Sequence, residues 1–206
     1  DAGASPTAAM PNALMARLAR QTVQKMQAKG PTAQVNAVVD ETQDCTGGGT
    51  ADITGNVASE VQPTVGDTLV IDYNDCVENG VTLNGEAENT FVDFNDDLSR
   101  LVLDVTPVDE VIATVGTEET RVSGTSRVTF DGTDATSTKL TQLGSPITVK
   151  RYSNGSLRAS RTLTDYLYEA VVDRATLSSS VTFSYSISGD FATLGTGRFV
   201  VLTIEP

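Results

Sequence analysis

The sequence predicts a mostly β protein: a curled antiparallel sheet, part barrel or sandwich, carrying one N-terminal amphipathic helix. Three observations point there. From about Val35 onward the chain consists of short β-branched segments separated by Gly, Asn and Asp, with period-two alternation such as Leu69, Ile71 and Tyr73 against Val70 and Asp72. The residues before Val35 follow a helical pattern instead. Charge divides at nearly the same place. Residues 1–39 hold one acid, Asp1, and four bases, whereas residues 40–206 hold the other 26 acids and ten bases, giving +3 against −16. The chain therefore divides into a basic helical arm, residues 1–34, and an acidic antiparallel β-domain, residues 35–206.

The helix is placed at about 11–28, because Pro11 suits a first turn and Gly30-Pro31 follows the end. Leu14, Leu18, Thr22 and Met26 recur every four residues, with Met15 and Val23 beside them, while Arg17, Arg20 and Lys25 lie largely off this stripe. The stripe must cover something, either the chain's own sheet or that of another copy. Farther along, Asn79-Gly80 and Asn154-Gly155 separate strand-like runs and predict two-residue hairpins. Gly55, Gly85, Gly124 and Gly189 each follow an apolar-polar pair inside such a run, and glycine there marks a bulge or bend that lets a long sheet curl. Arg161–Ala175 fits either a helical stripe or a strand. Its Tyr and Val content and its strand-like neighbours favour the strand.

Composition narrows the function. A net charge of −13 opposes contact with phosphate backbones, so no nucleic-acid partner is expected. No apolar run approaches the length of a transmembrane helix. The chain opens at Asp1 with small residues, as a mature protein does after a signal peptide is removed. There is no His, which removes the commonest general base near neutral pH and the commonest metal-binding nitrogen. Cys45 and Cys76 are the only thiols, open to reading as a disulfide, as two reduced thiols or as half of a metal site. A disulfide is the preferred reading, since thiolate-metal sites recruit about four Cys and His ligands, and it places the chain in an oxidising compartment.

The segment Gly66-Asp-Thr-Leu-Val-Ile-Asp-Tyr-Asn-Asp-Cys76, continuing to Gly80-Val-Thr-Leu-Asn-Gly85, together with Cys45-Thr-Gly-Gly-Gly49, resembles uncharacterised secreted β-rich proteins and lipoproteins of Gram-negative bacteria. The resemblance implies an exported protein, secreted or at the cell surface or in the periplasm, with a strand-to-strand disulfide. It implies no activity. The opening residues lack the Cys of a processed lipoprotein, so no lipid anchor is expected.

Candidate sites are few. Asp93, Asn95 and Asp97 alternate, and Asp104 lies at the span of a calcium loop, but Leu98 occupies the position where such a loop needs Gly. A solvated connection between strands ending near Phe94 and beginning near Leu101 explains these residues equally well; calcium stays a secondary expectation, and no other cofactor is expected. Asp109-Glu110 and Glu118-Glu119 read as surface charge, because adjacent acids on a strand point to opposite faces. Serines have neither a His partner nor a Ser-x-x-Lys motif. Lys150, Arg151, Arg158 and Arg161 form a basic patch on a hairpin, read as cross-strand partners of acids.

These features disfavour an enzyme. They favour an exported structural protein that assembles with copies of itself into a filament, matrix or surface layer. Its docking surface is the arm, through Leu14, Arg17, Leu18, Arg20, Lys25 and Met26. The alternative is a periplasmic carrier whose curled sheet holds an apolar small molecule.

Overall fold

The computed structural model describes residues 35–59, 63–78, 80–144, 146–176, 178–189 and 197–203. The expected helix at 11–28, and with it Leu14, Arg17, Leu18, Arg20, Lys25 and Met26, lies outside them. The described chain forms thirteen strands: β1 (Val35–Asp44), β2 (Thr50–Ser59), β3 (Thr68–Glu78), β4 (Val81–Phe94), β5 (Arg100–Pro107), β6 (Val111–Val115), β7 (Glu118–Ser123), β8 (Ser126–Asp131), β9 (Ser137–Gly144), β10 (Ile147–Ser153), β11 (Ser156–Asp173), β12 (Ser179–Gly189) and β13 (Gly197–Thr203). All belong to one antiparallel sheet. The region read as ambiguous, Arg161–Ala175, falls almost wholly inside the 18-residue strand β11.

The pairing path closes a ring through β4, β5, β8, β9, β11, β10, β7 and β6. The register explains how. At Leu83, β4 pairs with β3 on one edge and β6 on the other; at Ala87 it pairs with β3 and β5. So β5 and β6 lie end to end along one edge of β4. By the same reasoning β8 and β7 form a second interrupted pass, and β9 and β10 a third. With these three pairs joined, the thirteen strands become ten passes of one up-and-down meander in chain order, each pass beside its sequence neighbours.

The interruptions line up across the sheet as a transverse crease. β3 shifts register between Tyr73 and Cys76, with Asp75 at φ 49°. Opposite Tyr73 is Gly85, at φ 105°; residues 108–110 separate β5 from β6, and Gly124, at φ 100°, lies between β7 and β8. β9 ends at Gly144 and β10 begins at Ile147, and β11 shifts register around Asp165, at φ 53°. At Gly85 a Cβ would lie 2.5 Å from the Glu110 carbonyl oxygen, so glycine is required both for its backbone angle and for the close approach of the neighbouring pass. Gly55 behaves differently from the bend expected there. It sits in regular β1–β2–β3 register, and glycine is needed because a Cβ would fall 2.5 Å from the Thr68 carbonyl oxygen.

Both Asn-Gly hairpins form. Glu78 pairs with Val81 and Ser153 with Ser156, leaving two-residue turns; Gly80, Asn154 and Gly155 take positive φ of 77°, 50° and 72°.

Alternation directs one face inward. Ile53, Leu69, Ile71, Tyr73, Leu83, Phe91, Leu101 and Leu103 are fully buried in one cluster over β1–β6 and β8, each worth roughly 1.5–3 kcal/mol relative to exposure. A register shift after Phe91 brings Phe91 and Phe94 to the same side, where their rings meet edge-on at 6.0 Å. A smaller cluster of Val122, Ile147, Leu163 and Tyr166, flanked by half-buried Val149 and Tyr168, lines the same face across the crease.

Gly124→Ala is expected to lower the urea midpoint more than Gly80→Ala. Both positions need positive φ, but a Cβ on Gly124 also strikes the Pro146 carbonyl, while nothing lies near Gly80. Equal losses would show that the crease tolerates relaxation.

Candidate functional site

The best-defined local structure joins β1, β2 and β3. Cys45, at the end of β1, is bonded to Cys76 just past the β3 bulge, with Cα atoms 5.4 Å apart. The turn Cys45-Thr-Gly-Gly-Gly49 lies flat on β3: Gly47 donates to the Val77 carbonyl at 2.8 Å, and Val77 donates to the Gly48 carbonyl at 2.8 Å. A Cβ on Gly47 would fall 2.6 Å from Val77 Cγ1, and one on Gly49 would collide with the Asp75 carbonyl. The three glycines thus follow from a turn pressed against a bulged strand. Glu78 is buried and accepts hydrogen bonds from the Thr46 amide and hydroxyl at 3.1 and 3.0 Å. Cys45, Cys76 and Glu78 are the one group of three metal-capable side chains among the described residues, their ligand atoms lying within 4.8 Å of one another.

The residues singled out for calcium are held by other partners. Asp93 pairs with Arg100, and Asp104 receives both Arg127 Nε and Nη2, at 2.7 and 2.8 Å, from the neighbouring strand. Asp97 accepts from the Ser99 amide, and Asn95 bonds Ser99 Oγ and the Arg100 amide within the same turn. Leu98, at φ 54°, is fully buried there and anchors the turn to the core. The turn brings Asp93, Asn95 and Asp97 together at one end of β4 and β5, whereas Asp104 stands on β5 against β8.

The outer face carries acids in register. Asp52, Asp72 and Glu86 stand directly opposite one another on β2, β3 and β4, an arrangement of like charges that costs energy. Donors from Thr42 at 2.6 Å and Asn74 at 2.9 Å offset part of it at Asp52. Beyond the crease the basic patch splits between faces. Lys150 reaches Glu110 at 2.7 Å, which raises the lysine pKa, and Arg121 bonds Glu119 and stacks 4.6 Å over the Tyr152 ring. Arg151 falls on the opposite face, in register with Thr120 and Ala159, while Arg158 is exposed. Where the crease opens outward, an open cleft of about 620 Å³ is lined by Asp104, Thr125, Arg127, Leu143, Asp165 and Tyr166.

The fold and surface thus define an antiparallel β-meander with its apolar face turned inward, an acidic exterior and a disulfide clamp at one end. No family model, curated protein or solved structure matches this chain. No helix among the described residues is long and apolar enough to cross a membrane, and the disulfide is of the kind that persists in an oxidising compartment.

The missed signals were the partners rather than the residue types. Glu78 had no feature in the sequence to mark it, since its role depends on the Thr46 turn arriving beside it. Of the patch residues expected to pair with acids, Lys150 does so with Glu110.

Two outcomes follow. Cys45→Ser with Cys76→Ser should cost about 3–4 kcal/mol in urea unfolding, the value for releasing a loop of 31 residues; a loss under about 1 kcal/mol would show that the glycine turn alone holds the clamp. Asp131 and Asp134 have lowered pKa values through hydroxyl and amide hydrogen bonds from Thr133 and Thr136, and Asp173 likewise through Thr176. Their stabilising effect is present above the ordinary aspartate value of about 3.9 and is lost as pH falls through the lower folded values. Thr133→Val with Thr136→Val should therefore make the urea midpoint less sensitive to acid below about pH 4; an unchanged acid limb would place the effect elsewhere.

Proposed function

We propose that this chain is an exported structural protein that assembles with copies of itself, through its basic arm and the free edges of its sheet. The observation that carries this reading is the meander's parity. Ten antiparallel passes leave β1 and β13 running in opposite directions, and neither pairs with a second described strand along its outer edge. An antiparallel ladder between β13 of one copy and β1 of the next continues the alternation already present. A contact of this kind is heterologous and propagates rather than closing.

Charge supports the same reading. Residues 11–29 carry Arg17, Arg20, Lys25 and Lys29 and no acid, and they lead towards β1, whose neighbours present the opposed acids Asp52, Asp72 and Glu86. The apolar stripe through Leu14, Leu18 and Met26 supplies burial area, and the bases select the acidic face and set register. The acids also disfavour face-to-face stacking, which leaves edges as the route of growth.

A second reading rests on the inner face, where Val149 and Tyr168 beside the smaller cluster and Phe130 and Leu140 against the larger one are only half-buried. That face suits an apolar ligand carried by a monomer.

Light scattering and electron microscopy of the full chain across concentration separate the two. Assembly predicts species that grow with concentration, that are lost on deleting residues 1–34, and that are reduced by Val38→Pro in β1 while the sheet's circular dichroism persists. A monomer at every concentration that copurifies with an apolar molecule detectable by mass spectrometry would replace the assembly reading with the carrier.

A further inference from the structure

The clamp contains more than a disulfide. In sequence terms half of a metal site is one of the alternatives open to Cys45 and Cys76 beside the preferred disulfide, and the fold supplies a third donor that sequence spacing does not mark, Glu78. All three are buried, and their sulfur and oxygen atoms lie within 4.8 Å of one another. We propose that reduction of the Cys45–Cys76 bond converts this clamp into a binding site for a divalent, thiolate-preferring cation of the zinc type, with Cys45, Cys76 and Glu78 as ligands and water completing a tetrahedron.

The backbone geometry suits the exchange. Two thiolates on one tetrahedral zinc, each at about 2.3 Å from the metal, stand about 3.8 Å apart. The Cα atoms of Cys45 and Cys76 are 5.4 Å apart, and their side chains already converge, so this separation needs side-chain rotation rather than movement of a strand. Both cysteine positions are fixed from outside the pair. The Gly47–Val77 and Val77–Gly48 hydrogen bonds tie the turn to β3 independently of the sulfurs.

Glu78 is oriented for the role. Thr46 donates to Oε1 through both its amide and its hydroxyl, and its hydroxyl also lies 3.1 Å from Oε2. Hydrogen bonds of this sort hold a metal-binding carboxylate in one rotamer, and they are typical of the outer shell around zinc. Two thiolates and one carboxylate exceed the charge of a divalent ion by one, and the Thr46 donors offset part of that excess. With no His in the chain, no imidazole competes for the ion.

The chemistry balances with a dithiol or phosphine as the reductant. A dithiol is oxidised to its own disulfide, or a phosphine to its oxide with oxygen and two protons taken from water, as the Cys45–Cys76 bond accepts two electrons and two protons, giving two thiols. Binding the cation then displaces both thiol protons to solvent, so affinity rises with pH. The oxidised clamp offers no thiolate and does not bind. The site is thus gated by redox state.

The test uses the full chain without a histidine tag, reduced by a phosphine under anaerobic conditions and titrated with cobalt(II), then zinc. The expected result is tetrahedral cobalt absorption with a thiolate charge-transfer band, saturating at one ion per chain, displaced by zinc and absent from the oxidised protein. Cys45→Ser should remove the charge-transfer signal or halve it, and Glu78→Gln should weaken cobalt binding by about tenfold or more. Absence of the charge-transfer band in reduced, folded protein overturns the proposal, and so does Glu78→Gln binding with unchanged affinity. Where reduction or Glu78→Gln unfolds the chain, the readout is recovery: zinc should restore the β-sheet circular dichroism of the reduced wild type, and failure to restore it also overturns the proposal.

Discussion

A single sheet whose one face is apolar must bend until that face meets itself, unless another layer covers it. Among the described residues there is one sheet, and the crease is how it bends. At roughly 3.3 Å per residue the 18-residue β11 spans about 60 Å, too long to curve smoothly around a small core. Register shifts at Tyr73/Cys76 and Thr164/Leu167, Gly85 on β4, and breaks in the three passes at residues 108–110, Gly124 and Pro146 turn six successive passes at nearly the same level. The large cluster runs through this shared bend from Phe91 and Leu103 to Leu83, Val111 and Ala113, and the smaller one around Leu163 and Tyr166 flanks it, so both depend on it.

The clamp fixes the first passes of that bent sheet. β3 bulges at Asn74-Asp75, and the Gly47–Gly49 turn fills the space above the bulge, so the disulfide, the Thr46–Glu78 hydrogen bonds and the crease meet at one place. A glycine-rich turn is entropically costly to order. Cross-linking it to β3 and hydrogen-bonding both its flanks offsets that cost. Asn84 contributes from the other side, its side chain bonding both the Asp75 amide and the Asp75 carboxylate, so the bulge is held by β4 as well.

Outside, the same alternation that buries the core puts the acids on one surface. Opposed Asp52, Asp72 and Glu86 destabilise their own strands slightly, yet they give the body a field that a basic segment answers and another acidic body does not. Lys150, Arg121 and Arg127 are already engaged with acids of the body, leaving most of its excess negative charge uncompensated. The assembly reading therefore draws on polarity of two kinds, a chain with unlike ends and a sheet with unlike edges.

The sequence by itself left the Cys45–Cys76 bond and the extended state of Arg161–Ala175 as preferences, and it determined the local chemistry: where strands run, and that Asn79-Gly80 and Asn154-Gly155 turn in two residues. Each of these is set by side-chain period or by the φ that a residue tolerates, which neighbours in sequence suffice to reveal. Gly85 and Gly124 were legible as bends but not as parts of one line across six passes. That line, the splitting of three passes into six strands, the arrival of Glu78 beside both cysteines and the capture of Asp104 by Arg127 were decided only by tertiary structure. They depend on register between segments, and register follows from which apolar faces meet across the whole sheet, a sum over distant residues that no local window contains.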